Sequence, residues 1–286
     1  MEYQNQQPDE GLNVTRHNPI FHLLKLLFAA LVFIVVLMVV VNLLASRLGR
    51  TVPFKYELSL MNHVTYDFSG GSSSQKMQDY LNDLAIRLKA HMDIPEGMSI
   101  VVHHNGDDVF NAFATLGGNV VFYSGLLKNL PHENAIAMVM AHEIAHVVHR
   151  DPAAGLGGGL AAMMALMAIT GNTGTGAVGS VLNQTGAITQ SKFSRDMERE
   201  ADKSALAAVA AQYGHVAGAD ELFKVLQNKQ SSGSGDSSNE WYETFSSTHP
   251  LNEERIDSIT ELALENEWSL NGEITPLPAG YHSWLN

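Results

Sequence analysis

Apolar residues follow three rhythms along this chain, and the first is continuous. Ile20 to Ala45 reads IFHLLKLLFAALVFIVVLMVVVNLLA, and from Leu26 to Ala45 only Asn42 interrupts the run. A helix of about 20 residues, at ~1.5 Å each, spans the roughly 30 Å hydrocarbon core of a bilayer, so residues 20–45 are expected to form one transmembrane helix. A cleaved signal peptide and a buried core helix compete with this reading. The stretch is longer than the apolar part of a signal peptide, and Leu43-Leu44-Ala45 lacks the small-x-small pattern of a cleavage site. Arg16 and Lys25 precede the helix and Arg47, Arg50 and Lys55 follow it. That balance leans only slightly toward a cytoplasmic position for the rest of the chain and leaves the membrane side open.

The second rhythm is helical. From Lys76 to His91, Met77, Tyr80, Leu81, Leu84 and Leu88 recur at helix spacing and predict an amphipathic helix. A further helix is expected from Pro131 to about His149, with Pro at its first position and Glu133 in its first turn. Another runs from about Ser191 to Tyr213 and stops at Gly214, and a last one covers Pro250 to Glu265. The third rhythm is that of strands. Met98 to His103 reads as one strand, and two apolar runs around Gly117-Gly118, between Asn111 and Tyr123, predict a pair joined by a turn.

The remaining stretches divide the chain. Residues 1–19 form a polar tail, and 46–75 end in FSGGSSSQ and read as a linker before a domain at 76–286. Ala153 to Ile188 is rich in Gly, Ala and Met; buried or interfacial helices are expected there, with a second membrane segment as the alternative. Ser231 to Asn239 is a low-complexity loop. The expected fold class is α+β, mainly helical with a small sheet, preceded by one transmembrane helix.

Composition narrows the chemistry. With 45% hydrophobic and 16% charged residues, the 286-residue chain is a folded protein. A formal charge of -13 removes nucleic acid as a partner. The absence of Cys excludes disulfides, thiolate metal sites and cysteine nucleophiles, so a metal would have to be held by some of the 13 His and by carboxylates.

Within the Pro131 helix the sequence reads HEIAH. His142 and His146, four apart, share a helical face and can ligate one ion, while Glu143 can reach a water beside it. This is the zinc-hydrolase pattern in which a carboxylate acts as general base, and it makes the domain zincin-like. The extended pattern with Gly and a third His is excluded, because His149 and Pro152 stand at those positions; His149 is expected to be solvated or hydrogen-bonded near the helix end. The third ligand is then a carboxylate of SRDMEREAD, either Glu198 or Glu200, and Asp202 lies one turn beyond Glu198.

Together HEIAH, SRDMEREAD and THPLNEERI resemble the HtpX-like and CAAX-prenyl-protease-like membrane metallopeptidases, metallopeptidase family 48, over roughly residues 76–265. The resemblance implies a gluzincin fold with one Zn2+ held by His142, His146 and Glu198, with Glu143 as base and Asp202 supporting a ligand. It implies that His249 lies by the metal, either stabilising an oxyanion or filling a fourth zinc position, with Arg255 orienting that segment; a plain helix-start role competes for His249. Asn111-Ala112-Phe113 and Gly117-Gly118 are similar to the family's edge strand, and substrate backbone is expected to add to Asn119, Val120 and Val121. The implied function is a membrane-anchored zinc endopeptidase of protein quality control, acting on polypeptides and held by lipid, in a bacterial inner membrane. The alternative is a non-catalytic zinc-containing chaperone or scaffold. The chain has few spans, which puts CAAX processing in doubt, and its oligomeric state stays open.

Overall fold

The computed structural model describes residues 19–50, 53–61, 68–155, 193–231, 243–249 and 253–285. The named helices are α1 (Pro19–Gly49), α2 (Phe54–Met61), α3 (Gln75–Lys89), α4 (Ser124–Leu127), α5 (Glu133–Val148), α6 (Arg195–Tyr213), α7 (Glu221–Ser231) and α8 (Glu253–Glu265). Strands β1 (Val101–Asn105), β2 (Ala112–Thr115) and β3 (Asn119–Tyr123) form one small sheet of order β1-β3-β2. The domain is mainly helical and is preceded by an apolar N-terminal helix.

Helix α5 is the axis. Every residue from Glu133 to Val147 is buried, and the helix packs most extensively on α6, with α3 and β2 against its other sides. Its one buried acid at the N-terminal end is satisfied: Glu133 accepts hydrogen bonds from Arg87 (2.8 Å) and Tyr80 (3.3 Å) of α3 and Tyr213 (3.0 Å) of α6. Three helices are thereby tied at one carboxylate. The α5 boundary differs from the sequence expectation. His132, not Pro131, ends the loop, and its Nδ1 accepts from Ala135 N at 3.1 Å, so an imidazole does the work usually done by Ser or Asp.

Ser74 caps α3, and Met77, Leu81, Leu84, Ala85 and Leu88 form its buried stripe. Ser194 caps α6, and Gly214, at φ 78, ends it in the left-handed conformation. Between β2 and β3 the chain turns through Gly117 (φ 71) and Gly118 (φ 76), and a Cβ on Gly118 would collide with the Ser99 carbonyl oxygen. Strand β1 starts at Val101 rather than at Met98, because its partner β3 begins only at Asn119, opposite Val101. The last helix starts at Glu253.

Two further differences lie near the N-terminus. Helix α1 runs through Gly49, and the stretch expected as linker contains α2, whose Glu57 pairs with Arg150 at 2.8 Å and accepts from Gly117 N at 2.9 Å. The apolar window Pro19–Val40 of α1 is exposed along its length, which removes the buried-core-helix reading; among the described residues no other helix is long and apolar enough to cross a membrane. The stretch 153–188, expected as buried or interfacial helices with a second membrane segment as the alternative, falls, apart from residues 153–155, outside the described residues, as does the loop at 232–239.

Candidate metal centre

The residues that gather at one end of α5 come from three separate parts of the chain. Helix α5 presents His142 and His146 one turn apart, α6 brings in Glu198 from its first turn, and His249 follows a helical segment at 243–248. One donor atom from each of these four buried residues lies within 4.8 Å of the others. His142 Nε2 is 3.4 Å from Glu198 Oε2, and His146 Nε2 is 3.6 Å from Glu198 Oε1. His249 spans the site, with Nδ1 3.1 Å from Glu198 Oε1 and Nε2 3.3 Å from Glu143 Oε1.

A layer of charge lies behind these groups. Asp202 Oδ1 is 2.9 Å from His142 Nδ1, and Asp151 Oδ2 is 2.9 Å from His146 Nδ1. A carboxylate beside Nδ1 keeps the ring proton there and leaves Nε2 as a lone pair. Arg255 donates from Nε and Nη2 to Asp202 (2.9 and 2.8 Å), and its Nη1 lies 2.6 Å from Glu198 Oε2. Phe193 stacks on His146 at 3.9 Å, and Phe245 on His249 at 5.1 Å, so apolar rings fix both imidazoles from the side.

This arrangement suits a divalent cation. The Nε2 atoms of His142 and His146 face one another at 3.0 Å, where two lone pairs repel unless a cation or proton lies between them. Among the described residues, the cluster of Glu143, Glu198, Asp202 and Asp151 is paired with two guanidiniums, Arg255 and Arg50. Both oxygens of Glu143 are buried with no hydrogen-bond partner among the described residues, as a group waiting on a water or a cation would be. The titration directions report the excess of acid around the imidazoles, which binds a proton in competition with a cation. Burial pushes the His142 imidazole down, but Asp202 and Glu198 override it and raise the group to about 10. Burial raises the Glu198 carboxyl, and His249, His142 and His146 together drive it well below the usual carboxylate range. The set of two imidazoles and a carboxylate, with imidazole as a further donor, is one that zinc takes in tetrahedral sites.

The sequence candidates sort clearly. His142, Glu143, His146, Glu198, Asp202, His249 and Arg255 converge. Glu200 is exposed on the far side of α6, and His149 turns away to Ser204 Oγ at 3.1 Å. Asn119, Val120 and Val121 need correction as a substrate strand. They lie in β3, the central strand, hydrogen-bonded to β1 on one side and β2 on the other, so no edge is open to a peptide. The edge strand next to α5 is β2. Asp151 and Phe193 were missed: Asp151 opens a new helical segment after the reversal at Arg150 and Phe193 precedes α6, so neither belongs to the stripe of the helix that carries its partner.

A small cleft of about 20 Å³, lined by Met138, Val139, Leu222, Phe223 and Phe245, lies beside His142 and Glu143. The arrangement thus combines a site for a Lewis acid, an unbonded carboxylate and an apolar hollow.

Comparison with known proteins bears on the family of this chain. The chain is 31% identical over 110 residues to the beta-barrel assembly-enhancing protease of Escherichia coli (strain K12), covering 37% of this chain and 22% of that protein. It is 29% identical over 199 residues to the putative beta-barrel assembly-enhancing protease of Vibrio cholerae, covering 65% of this chain and 39% of that one. A third relative, the beta-barrel assembly-enhancing protease of Yersinia pestis, is 39% identical over 74 residues, 26% of this chain and 15% of its own length. The matched region is less than half the length of each relative. The profile of the family described as Peptidase family M48 matches residues 72–263, which include all seven convergent residues, and the chain belongs to that family of metallopeptidases.

Proposed function

We propose that this protein is a membrane-anchored zinc endopeptidase that hydrolyses peptide bonds of unfolded or stalled polypeptides in the bacterial envelope. The observation that carries the reading is the pair of facing Nε2 atoms, 3.0 Å apart, each with its Nδ1 held by an acid and with Glu143 unbonded beside them. His142, His146 and Glu198 would hold the ion. When bound, zinc supplies Lewis acidity that acidifies water and polarises a carbonyl.

The chain's own residues do the rest. Glu143 takes a proton from the attacking water as its oxygen bonds to the carbonyl carbon, then returns it to the departing amine as the C–N bond breaks. Arg255 holds Glu198 and Asp202 in place and offsets their charge. His249 hydrogen-bonds Glu198 at 3.1 Å and places its Nε2 3.3 Å from Glu143 without bonding it, which favours the resting role over the oxyanion role: its imidazole fills the space a substrate carbonyl needs, and withdrawal of residues 243–249 opens the site.

Membrane attachment through α1 rests on its exposed apolar window, and the envelope setting rests on relatives named for enhancing beta-barrel assembly. The test compares purified protein with Glu143→Gln on unfolded casein. Equal zinc content and a roughly 10²–10⁴-fold slower variant are expected. Zinc in both proteins and cleavage by neither, even with His249→Ala to open the site, would leave the chaperone or scaffold reading in its place.

A further inference from the structure

The sequence assigns Asp202 behind one histidine but no group behind the other. The structure supplies it from an unexpected place. Just after α5, Arg150 adopts φ 65, in the left-handed region that a non-glycine residue enters at a cost of about 1 kcal/mol or more. The reversal brings the Asp151 side chain back beneath the helix end, fully buried, with Oδ2 2.9 Å from His146 Nδ1. Its other oxygen accepts from Arg50 Nη2 at 2.7 Å. Arg50 is the first residue past α1, and it lies outside the segment 72–263 matched by the family profile.

A second strut runs beside the first. Glu57 of α2, also outside that segment, pairs with Arg150 at 2.8 Å and accepts from Gly117 N at 2.9 Å. Two successive residues after α5 are therefore each held by a charge from residues 50–57. A buried carboxylate with a single imidazole for partner is costly; a guanidinium on its second oxygen keeps it ionised and fixes its rotamer.

We infer that Asp151 is the positioning residue for His146, and that Arg50, at the end of the N-terminal helix, is the counter-charge that holds Asp151 in place. The metal site is thus completed by the juxtamembrane segment and not by the matched family region alone. This inference rests on the zinc reading above. What it adds is dependence of metal affinity on a residue about a hundred positions away in sequence.

The test uses the full-length protein in detergent and measures zinc affinity by chelator competition, together with the visible spectrum of the cobalt-substituted form. Asp151→Ala is expected to weaken zinc by about 10–100-fold, the usual effect of removing the partner of a ligand. Arg50→Ala is expected to weaken it several-fold and shift the cobalt bands, with Arg50→Lys recovering most of the loss. Arg50 has a half-exposed side chain, so its variants keep the test valid if Asp151→Ala does not fold. Wild-type zinc affinity and unchanged cobalt bands in Arg50→Ala overturn the inference while leaving the zinc reading intact. A wild-type protein that takes up no zinc overturns both.

Discussion

His142 and His146 carry the same chemistry on one helix but depend on different neighbours. Asp202, behind His142, reaches it from a regular helix and is braced by Arg255, whereas Asp151 reaches His146 through a strained reversal at Arg150. The backbone at the β2–β3 turn is equally demanding. Gly118→Ala would place a Cβ against the Ser99 carbonyl oxygen at φ 76 and should destabilise the fold by about 1–3 kcal/mol, read as a lowered melting temperature. A melting temperature equal to wild type would mean the turn relaxes without cost. Buried Glu133 gives a contrasting case, since it ties helices together far from the donor cluster. Glu133→Ala should cost about 3 kcal/mol by removing the acceptor shared by Arg87 and two tyrosine hydroxyls, with zinc content unchanged. Loss of zinc at a temperature where the variant is still folded would contradict that separation.

At the scale of elements, the short first turn of α6 matters more than its length. Ser194 accepts from Met197 N, and the turn it caps carries Glu198. Ser194→Ala should cost about 1 kcal/mol, or about 2–4 °C in melting temperature, and should also weaken zinc; an equal loss of stability with full zinc affinity would show that the site holds the turn and not the reverse. The same elements show what the sequence could reveal. Helix α3 was legible from the spacing of Met77, Tyr80, Leu81, Leu84 and Leu88 and the end of α6 from Gly214, whereas the caps Ser74 and Ser194 mark starts that the 3.6-residue stripe left vague. The donors on α5 and α6 were legible because spacing along a helix fixes which side chains share a face. Strand order was not, since Val120, Val121 and Phe122 are apolar whether β3 is central or at an edge, and only pairing with β1 decides it. Helix α2 escaped notice because eight residues between polar neighbours give too few turns for a stripe. Asp151 escaped for a related reason: its direction is set by one backbone dihedral, not by a repeat.

For the whole molecule, the large fact is that an exposed apolar helix precedes a domain with an acidic surface balance of -13 overall. If α1 is a retained anchor, the protein purified from its own host should keep residues upstream of Ala45, and alkaline carbonate should leave it in the membrane fraction. A mature chain that starts after Ala45 and washes into the supernatant would instead mean a cleaved signal. For a retained α1, the ion pair between Arg50 and Asp151 would have a mechanical meaning. An enzyme on a loose tether sweeps a hemisphere and can cut wherever a chain wanders within reach. With α1 in a bilayer, a catalytic centre clamped to the first residue beyond the helix has no such radius; it works at a set height, as a blade does on a fixed stand. Susceptible bonds would then be selected by their distance from the bilayer surface as much as by their side chains, and a Gly/Ser insertion after Arg50 would blur the cut sites along a membrane-tethered substrate.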